Sequence, residues 1–333
     1  MLERLREKMR EQEIETLCIT DKFNFRYIFG VEISGYAFVT QENVEMVLPR
    51  FYRYEDILEY SPVFAFSKKD YEQAFEKLGY RKVCAEDASG LKDHFEVEET
   101  SLLTEMRKSK TEQELENLRE AAKITDEAIQ DLRPELVGMT EFEAVNSLQR
   151  FYSQRGFQES FLTDGGQSLV QRNCLRPHRP PEDKVIESDD LVIVDTGARV
   201  NGYCGDITRT FCKDPSEEQI ELFEAVRSIQ EELIEMIEPG LSISEWKKKE
   251  FELVEEKGYS VEENVLYFGH GIGLDVHESP TLSHESDEKF REGMVVTVEP
   301  GLHVEGLGGV RIEDMVCIRE KNTEVLSSSP REL

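Results

Sequence analysis

The chain has 333 residues, enough for two domains with separate cores, and 38% hydrophobic with 33% charged residues is the balance of a soluble globular protein. Its 70 Asp and Glu against 40 Lys and Arg leave a net charge of −30, which argues against nucleic acid and anionic membrane as partners because either would repel such a surface. No apolar run approaches the roughly 20 residues that cross a bilayer, and Met1 to Met9 reads as a charged amphipathic helix with no secretory core, so the expected location is the cytoplasm.

The acids are spread along the sequence and form no tail; a salt-rich host or ordinary acidity would each account for them. Six cysteines show no Cys-x-x-Cys pair and read as reduced, mostly packed thiols. Cys204, two residues from Asp206, is read as packing and not as a ligand.

In chain order, the first hundred residues alternate short apolar runs (Thr16 to Ile19, Tyr36 to Val39, Val44 to Leu48, Lys82 to Ala85) with helical stretches such as Tyr71 to Leu78, which predicts a small α/β domain over residues 1–104. A second domain is expected over 105–333. Thr111-Glu112-Gln113-Glu114 is a capping box, and Leu115, Leu118, Ala122, Ile129 and Leu132 recur at helical spacing up to Pro134. Another helix opens at Ser216, carries Ile220, Phe223, Ile229, Leu233 and Ile237, and stops before Pro239; a third spans about Ser244 to Lys257, with Gly258 as its cap. Gly138-Met139-Thr140-Glu141 and Gly240-Leu241-Ser242-Ile243 stand at comparable distances ahead of two pairs of acids, so this part looks duplicated, each half giving a helix followed by strands that bear two carboxylates.

Those acids carry the functional reading. Asp195 ends the apolar run Leu191 to Val194, and Glu299 ends Val295 to Val298, so each follows a stretch that reads as a buried strand; Asp206 and Glu313 complete the set, with His270 between. Buried carboxylates must share protons, meet bases or hold cations. Arg311 is the single arginine beside them in sequence, and divalent metal is the counter-charge that fits. Oxygen ligands with one imidazole suit Mn²⁺, Co²⁺, Fe²⁺ or Zn²⁺ more than Cu⁺, and Mn²⁺ or Co²⁺ is the first expectation, with Zn²⁺ or Fe²⁺ as alternatives.

With Asp195-Thr196-Gly197, Gly205-Asp206-Ile207-Thr208-Arg209-Thr210, Gly269-His270-Gly271-Ile272-Gly273, Val298-Glu299-Pro300-Gly301 and Arg311-Ile312-Glu313-Asp314 in this order, the chain resembles the pita-bread metallopeptidases, the family of methionine aminopeptidase, aminopeptidase P and prolidase. The run from Gly308 to Asp314 is similar to the proline-directed branch, and Asn24 to Gly30 to the amino-terminal domain of prolidase and creatinase. The resemblance implies an α/β (α+β) protein: a small creatinase/prolidase-like domain followed by a pita-bread domain with a pseudo-two-fold repeat. It implies two divalent ions, with Asp195 on one, His270 and Glu299 on the other, and Asp206 and Glu313 bridging. It further implies Glu299 as proton carrier, His277 and His178 as donors to the tetrahedral intermediate, and a homodimer that hydrolyses small peptides with proline at the second position.

Arg311 is expected to anchor a substrate carboxylate, orient Glu313, or pair with Asp314; Tyr203 is a further candidate donor near the metals, and His94, His284 and His303 receive no role. One departure from the family stands out: Gln171-Arg172 replaces the usual Ser-Gly ahead of Asn173, so Arg172 or Arg176 is expected to meet an acidic group. The first functional expectation is an Xaa-Pro dipeptidase. Aminopeptidase P activity on longer peptides and a creatinase-like amidinohydrolase are the alternatives, and the intact ligand set counts against the last.

Overall fold

The computed structural model describes residues 1–49, 55–60, 62–161, 167–175, 179–262 and 269–333, and the side chains of Glu55 and Asp56 are outside that description. The chain divides into two compact units, Met1–Arg107 and Lys108–Leu333.

In the first unit, helix α1 (Leu2–Glu11) buries Leu5 and Met9, and α2 (Lys22–Phe29) is capped by Asp21 and ends at Gly30 in the left-handed region. Strands β1 (Leu17–Ile19), β2 (Tyr36–Val39), β3 (Val44–Pro49), β4 (Val63–Ala65), β5 (Lys82–Ala85) and β6 (Glu96–Glu99) form one mixed sheet in the order β4-β3-β2-β1-β5-β6. Helix α3 (Lys68–Leu78) packs Phe75 among Phe38, Tyr36 and Phe95, and α4 (Leu102–Lys108) leads out of the unit.

The second unit shows its repeat in the helices. Helix α5 (Glu112–Leu132, 21 residues) and α6 (Glu141–Gln154, 14 residues) are answered by α7 (Glu217–Met236, 20 residues) and α8 (Ile243–Glu256, 14 residues). Capping boxes at Thr111, Thr140 and Ser216 start three of these by satisfying backbone N–H groups that the first turn leaves open. Gly138 and Gly240 hold the same left-handed φ of 95° before α6 and α8, and the bridges Thr140 with Val185 and Ser242 with Lys289 occupy matching places. Ile220 is on the outer face of α7, exposed, so the apolar stripe of that helix is narrower than its sequence suggests.

The strands are β7 (Gln158–Glu159), β8 (Leu169–Arg172), β9 (Val192–Thr196), β10 (Ala198–Val200), β11 (Tyr203–Cys204), β12 (Ile207–Phe211), β13 (His270–Gly271), β14 (Glu278–Thr281), β15 (Val295–Val298), β16 (Gly301–Val304), β17 (Gly308–Arg311), β18 (Asp314–Ile318) and β19 (Thr323–Val325). They pair antiparallel in the orders β12-β9-β8, β11-β10-β7, β14-β13-β15-β18-β19 and β16-β17. One apolar core joins α5 and α6 to the first strands, through Leu118, Ala122, Leu148, Val194 and Ile207; another joins α7 and α8 to the later ones, through Val226, Leu233, Trp246, Val296 and Val316. The two acid-bearing ladders, β9 with β12 and β15 with β18, are similar but not identical. Thr196 opposes Ile207 and Val298 opposes Asp314 at their ends, so Asp206 and Glu313 are equivalent, whereas Asp195 sits one step inside its ladder and Glu299 one step beyond its own.

Between the halves the chain closes tightly. Glu313 N donates to Thr208 O at 3.0 Å, and Thr210 Oγ1 exchanges hydrogen bonds with the backbone of Arg311 at 2.9 and 3.0 Å. Gly197 is required by close approach: a Cβ there would lie 1.9 Å from the Gly205 carbonyl oxygen.

Candidate metal centre

The ladders bring four carboxylates and an imidazole to one buried place. Ligand atoms of Asp206, His270 and Glu313 lie within 4.8 Å of one another. His270 Nε2 is 3.4 Å from Asp206 Oδ2 and 3.4 Å from Glu299 Oε1. Its Nδ1 is 3.2 Å from the Gly271 carbonyl, and donation there leaves Nε2 as an acceptor facing two further acceptors. Such an arrangement is repulsive unless a proton or a cation lies between them.

Asp195 takes a different partner. Arg311 Nη2 donates to its Oδ2, and Arg311 Nε reaches Thr208 Oγ1 at 3.4 Å. Thr208 Oγ1 in turn donates to Glu313 Oε2 at 2.7 Å, and Thr297 Oγ1 to Glu299 Oε1 at 3.2 Å, while His270 N donates to Thr297 Oγ1 at 3.1 Å. Asp206 Oδ1 and Glu313 Oε1 are buried without a hydrogen-bond partner among the described residues.

Electrostatics make the same point. Burial, then Asp195 and Glu299, hold the Asp206 carboxyl well above the usual carboxylate range, and Arg311 offsets only part of this. Glu313 is raised in the same way, by burial first and then by Asp206, Glu299 and Asp195. Burial opposes the charge of Arg311, yet the surrounding acids keep it protonated and raise its pKa. One guanidinium cannot neutralise four carboxylates. Two partnerless carboxylate oxygens, a set dominated by oxygen donors and an imidazole lone pair turned inward are the donors that divalent cations take. Asp206, Glu313, His270, Glu299 and Asp195 would hold them.

His277 stands beside this cluster, its ring centroid 4.3 Å from that of His270. His178 lies outside the described residues, as do Arg176 and residues 162–166. Two expectations are corrected, for Arg172 and for Arg311 with Asp314. Arg172 does not stand open to an acidic ligand: its Nη1 binds both oxygens of buried Asp190, at 2.9 and 3.0 Å. Arg311 pairs with Asp195 and not with Asp314, which is held by Arg209 and Arg331. The Tyr203 hydroxyl donates to Glu114 at 3.1 Å. Cys204 is a packed thiol that burial pushes up to about 12. His303 Nδ1 donates to the Cys174 carbonyl at 2.8 Å, His94 packs on Phe75, and His284 is exposed.

Thr208 and Thr297 join the site only through the fold. Each is two residues from an acid along an extended segment and so shares its face, which is the signal that would have found them. Arg209, Asp314 and Asp190 act through long-range partners and leave no such local mark.

Residues 116–320 match Metallopeptidase family M24, and residues 1–121 match the Creatinase/Prolidase N-terminal domain. The chain is 32% identical to the Xaa-Pro dipeptidase of Pyrococcus furiosus, covering 100% of this chain and 99% of that protein. Among solved structures, the Xaa-Pro dipeptidase from Bacillus anthracis is similar with a TM-score of 0.86 at 30% identity, covering 100% of this chain and 98% of that one. The X-Pro aminopeptidase of Thermotoga maritima is similar with a TM-score of 0.90 at 26% identity, covering 100% and 99%. Two ladders that carry their acids to one cluster, in a chain matched along its length, make it a member of metallopeptidase family M24, with a creatinase/prolidase-type amino-terminal domain.

Proposed function

We propose that the protein is an Xaa-Pro dipeptidase that hydrolyses the bond preceding proline, using divalent cations held by Asp195, Asp206, His270, Glu299 and Glu313. Membership of the family makes it a metallopeptidase; the substrate is supported by end-to-end similarity to an Xaa-Pro dipeptidase. The observation that carries the chemistry is the buried cluster of Asp206, His270 and Glu313 with its partnerless carboxylate oxygens. Bound cations would supply Lewis acidity, which acidifies water and polarises a carbonyl.

The remaining roles belong to side chains. Glu299, steadied by Thr297, is assigned as the carrier that moves a proton from water to the leaving nitrogen. His277 is assigned as a donor to the carbonyl oxygen as it becomes anionic, with His178 as its counterpart from the sequence. Arg311 fixes Asp195 and, through Thr208, the orientation of Glu313. An Xaa-Pro bond lacks an amide N–H and has a fixed φ, so a dedicated enzyme is chemically sensible.

We take two ions as the complement, as the family resemblance implies, and Mn²⁺ or Co²⁺ as the first metals, in keeping with a mainly oxygen donor set. A cytoplasmic homodimer belongs to the same reading; among the described residues no helix is long and apolar enough to cross a membrane. Similarity to the Thermotoga maritima aminopeptidase supports a second reading, action on longer peptides. Elemental analysis of Mn²⁺-reconstituted protein combined with turnover of Ala-Pro and Ala-Pro-Ala decides. Two ions and preference for Ala-Pro are expected; preference for the tripeptide selects the second reading, and no ions with no turnover refutes both.

A further inference from the structure

Behind the carboxylates lies a second buried polar network, built on Arg209 and Asp314 and fastened by the segment Ser327 to Arg331. Arg209 is 1% exposed. Its Nη1 donates to the carbonyls of Thr208 at 2.8 Å and Glu313 at 2.5 Å, so one guanidinium grips both sides of the seam beside Asp206 and Glu313. Its Nη2 donates to Asp314 Oδ1 at 2.6 Å, and Nη2 and Nε both reach the Ser329 carbonyl, at 2.9 and 3.1 Å. Arg331 Nε donates to Asp314 Oδ2 at 2.7 Å and Ser327 Oγ to Oδ1 at 2.5 Å. Buried Asp126 of α5 closes the arrangement, accepting from the backbone N–H and hydroxyl of both Ser328 and Ser329 at 2.6 to 2.9 Å.

We propose that Ser327 to Arg331 form a strap that sets the spacing of Asp206 and Glu313 through Arg209, with Arg209 and Arg331 as positioning residues for cation binding. The inference rests on the metal-centre reading. Its physical basis is that Arg209 cannot move away from the Thr208 and Glu313 carbonyls while the Ser329 carbonyl and Asp314 hold its other edge. Asp314 is itself gripped from both sides, by Arg209 Nη2 on one oxygen and Arg331 Nε on the other, so the anchor is a carboxylate between two guanidinium groups. Bond geometry at a ligand is sensitive to such outer partners, whose loss typically weakens metal binding 10- to 100-fold.

The test is calorimetric titration of Mn²⁺ into metal-stripped full-length protein and its Arg331→Met and Arg331→Lys variants, with circular dichroism as the check of folding. Arg331 is about a quarter exposed, so Arg331→Met is a mild change that keeps the stem packed. The expected result is a Kd for Mn²⁺ about tenfold weaker in Arg331→Met, largely restored in Arg331→Lys. A chain ending at Leu326 should weaken it further. A folded Arg331→Met protein with lowered thermal stability and a Kd within twofold of the parent overturns the proposal, since that is the signature of a strap serving only the fold. If the shortened chain fails to fold, Arg331→Met alone decides. Parent protein that takes up no Mn²⁺ overturns the metal-centre reading and the strap together, which separates the two failures.

Discussion

Glu313→Gln should stabilise the protein without metal and nearly abolish its stabilisation by metal. Glu313 is 1% exposed, one oxygen accepts from Thr208, and the other has no partner among the described residues. Its carboxyl is raised by burial and three acidic neighbours, so the metal-free fold disfavours its ionisation. A raised folded pKa contributes stability fully present below the unfolded value, lost as pH rises through the folded value. The amide removes that loss: below the ordinary glutamate range the variant has no advantage, and near pH 7 the metal-free variant should be the more stable of the two. With metal the order reverses. At a concentration of 100 Kd the parent gains about 2.7 kcal/mol, whereas a 100-fold weaker site gains RT ln 2, about 0.4 kcal/mol. At about 2–4 °C per kcal/mol, the Mn²⁺-induced rise in Tm should be about 5–11 °C for the parent and under about 2 °C for the variant. Differential scanning calorimetry of stripped and reloaded protein at pH 5 and pH 7.5 measures all four states. An equal metal-induced rise in both proteins would refute the reasoning, as would a metal-free variant clearly less stable than its parent.

Three further outcomes are expected. His277→Ala should lower kcat on Ala-Pro by about 10²–10³ with bound metal unchanged by elemental analysis; loss of metal would instead make it a structural neighbour of His270. Glu324→Gln removes a half-buried carboxylate that hydrogen bonds from Arg119, and then Arg319, hold at about 2 against the effect of burial. Because that pKa is depressed, the stability it contributes is present above the ordinary glutamate value and lost as pH falls through about 2. Denaturant titrations should therefore show a deficit of about 1 kcal/mol at pH 7, discounted for solvent screening, that closes in acid. Gly197→Ala forces a methyl to 1.9 Å from the Gly205 carbonyl and should cost more than about 3 kcal/mol, seen as a large fall in Tm; a fall of a degree or less would show that the backbone yields there.

Features legible in the sequence were those with local causes. Capping boxes at Thr111 and Ser216 mark helix starts that the fold realises, and the strands at Tyr36 to Val39 and Lys82 to Ala85 follow from short apolar runs bounded by polar residues. The repeat was visible as matching glycine turns, because Gly138 and Gly240 must both take a positive φ ahead of equal-length helices. Motif order points to Asp206, His270 and Glu313, and the fold gathers them. Partner choice was not legible. Whether Arg311 meets Asp195 or Asp314 depends on the face presented by β17 against β9 and β12, and whether Arg172 is open or closed depends on Asp190, eighteen residues away across a turn. The Asp126 clamp on Ser328 and Ser329 joins the ends of the second unit and has no sequence pattern at all.

The imperfect match between the two ladders makes the carboxylate cluster asymmetric. Were the halves true copies, the cluster would present the same groups on both sides. Instead, Asp195 sits one step inside its ladder and leans on Arg311, while Glu299 sits one step outside and leans on Thr297, with His270 and His277 contributed by the later half alone. The two halves share a frame but differ at these few positions, so the carboxylate cluster has two chemically unlike sides.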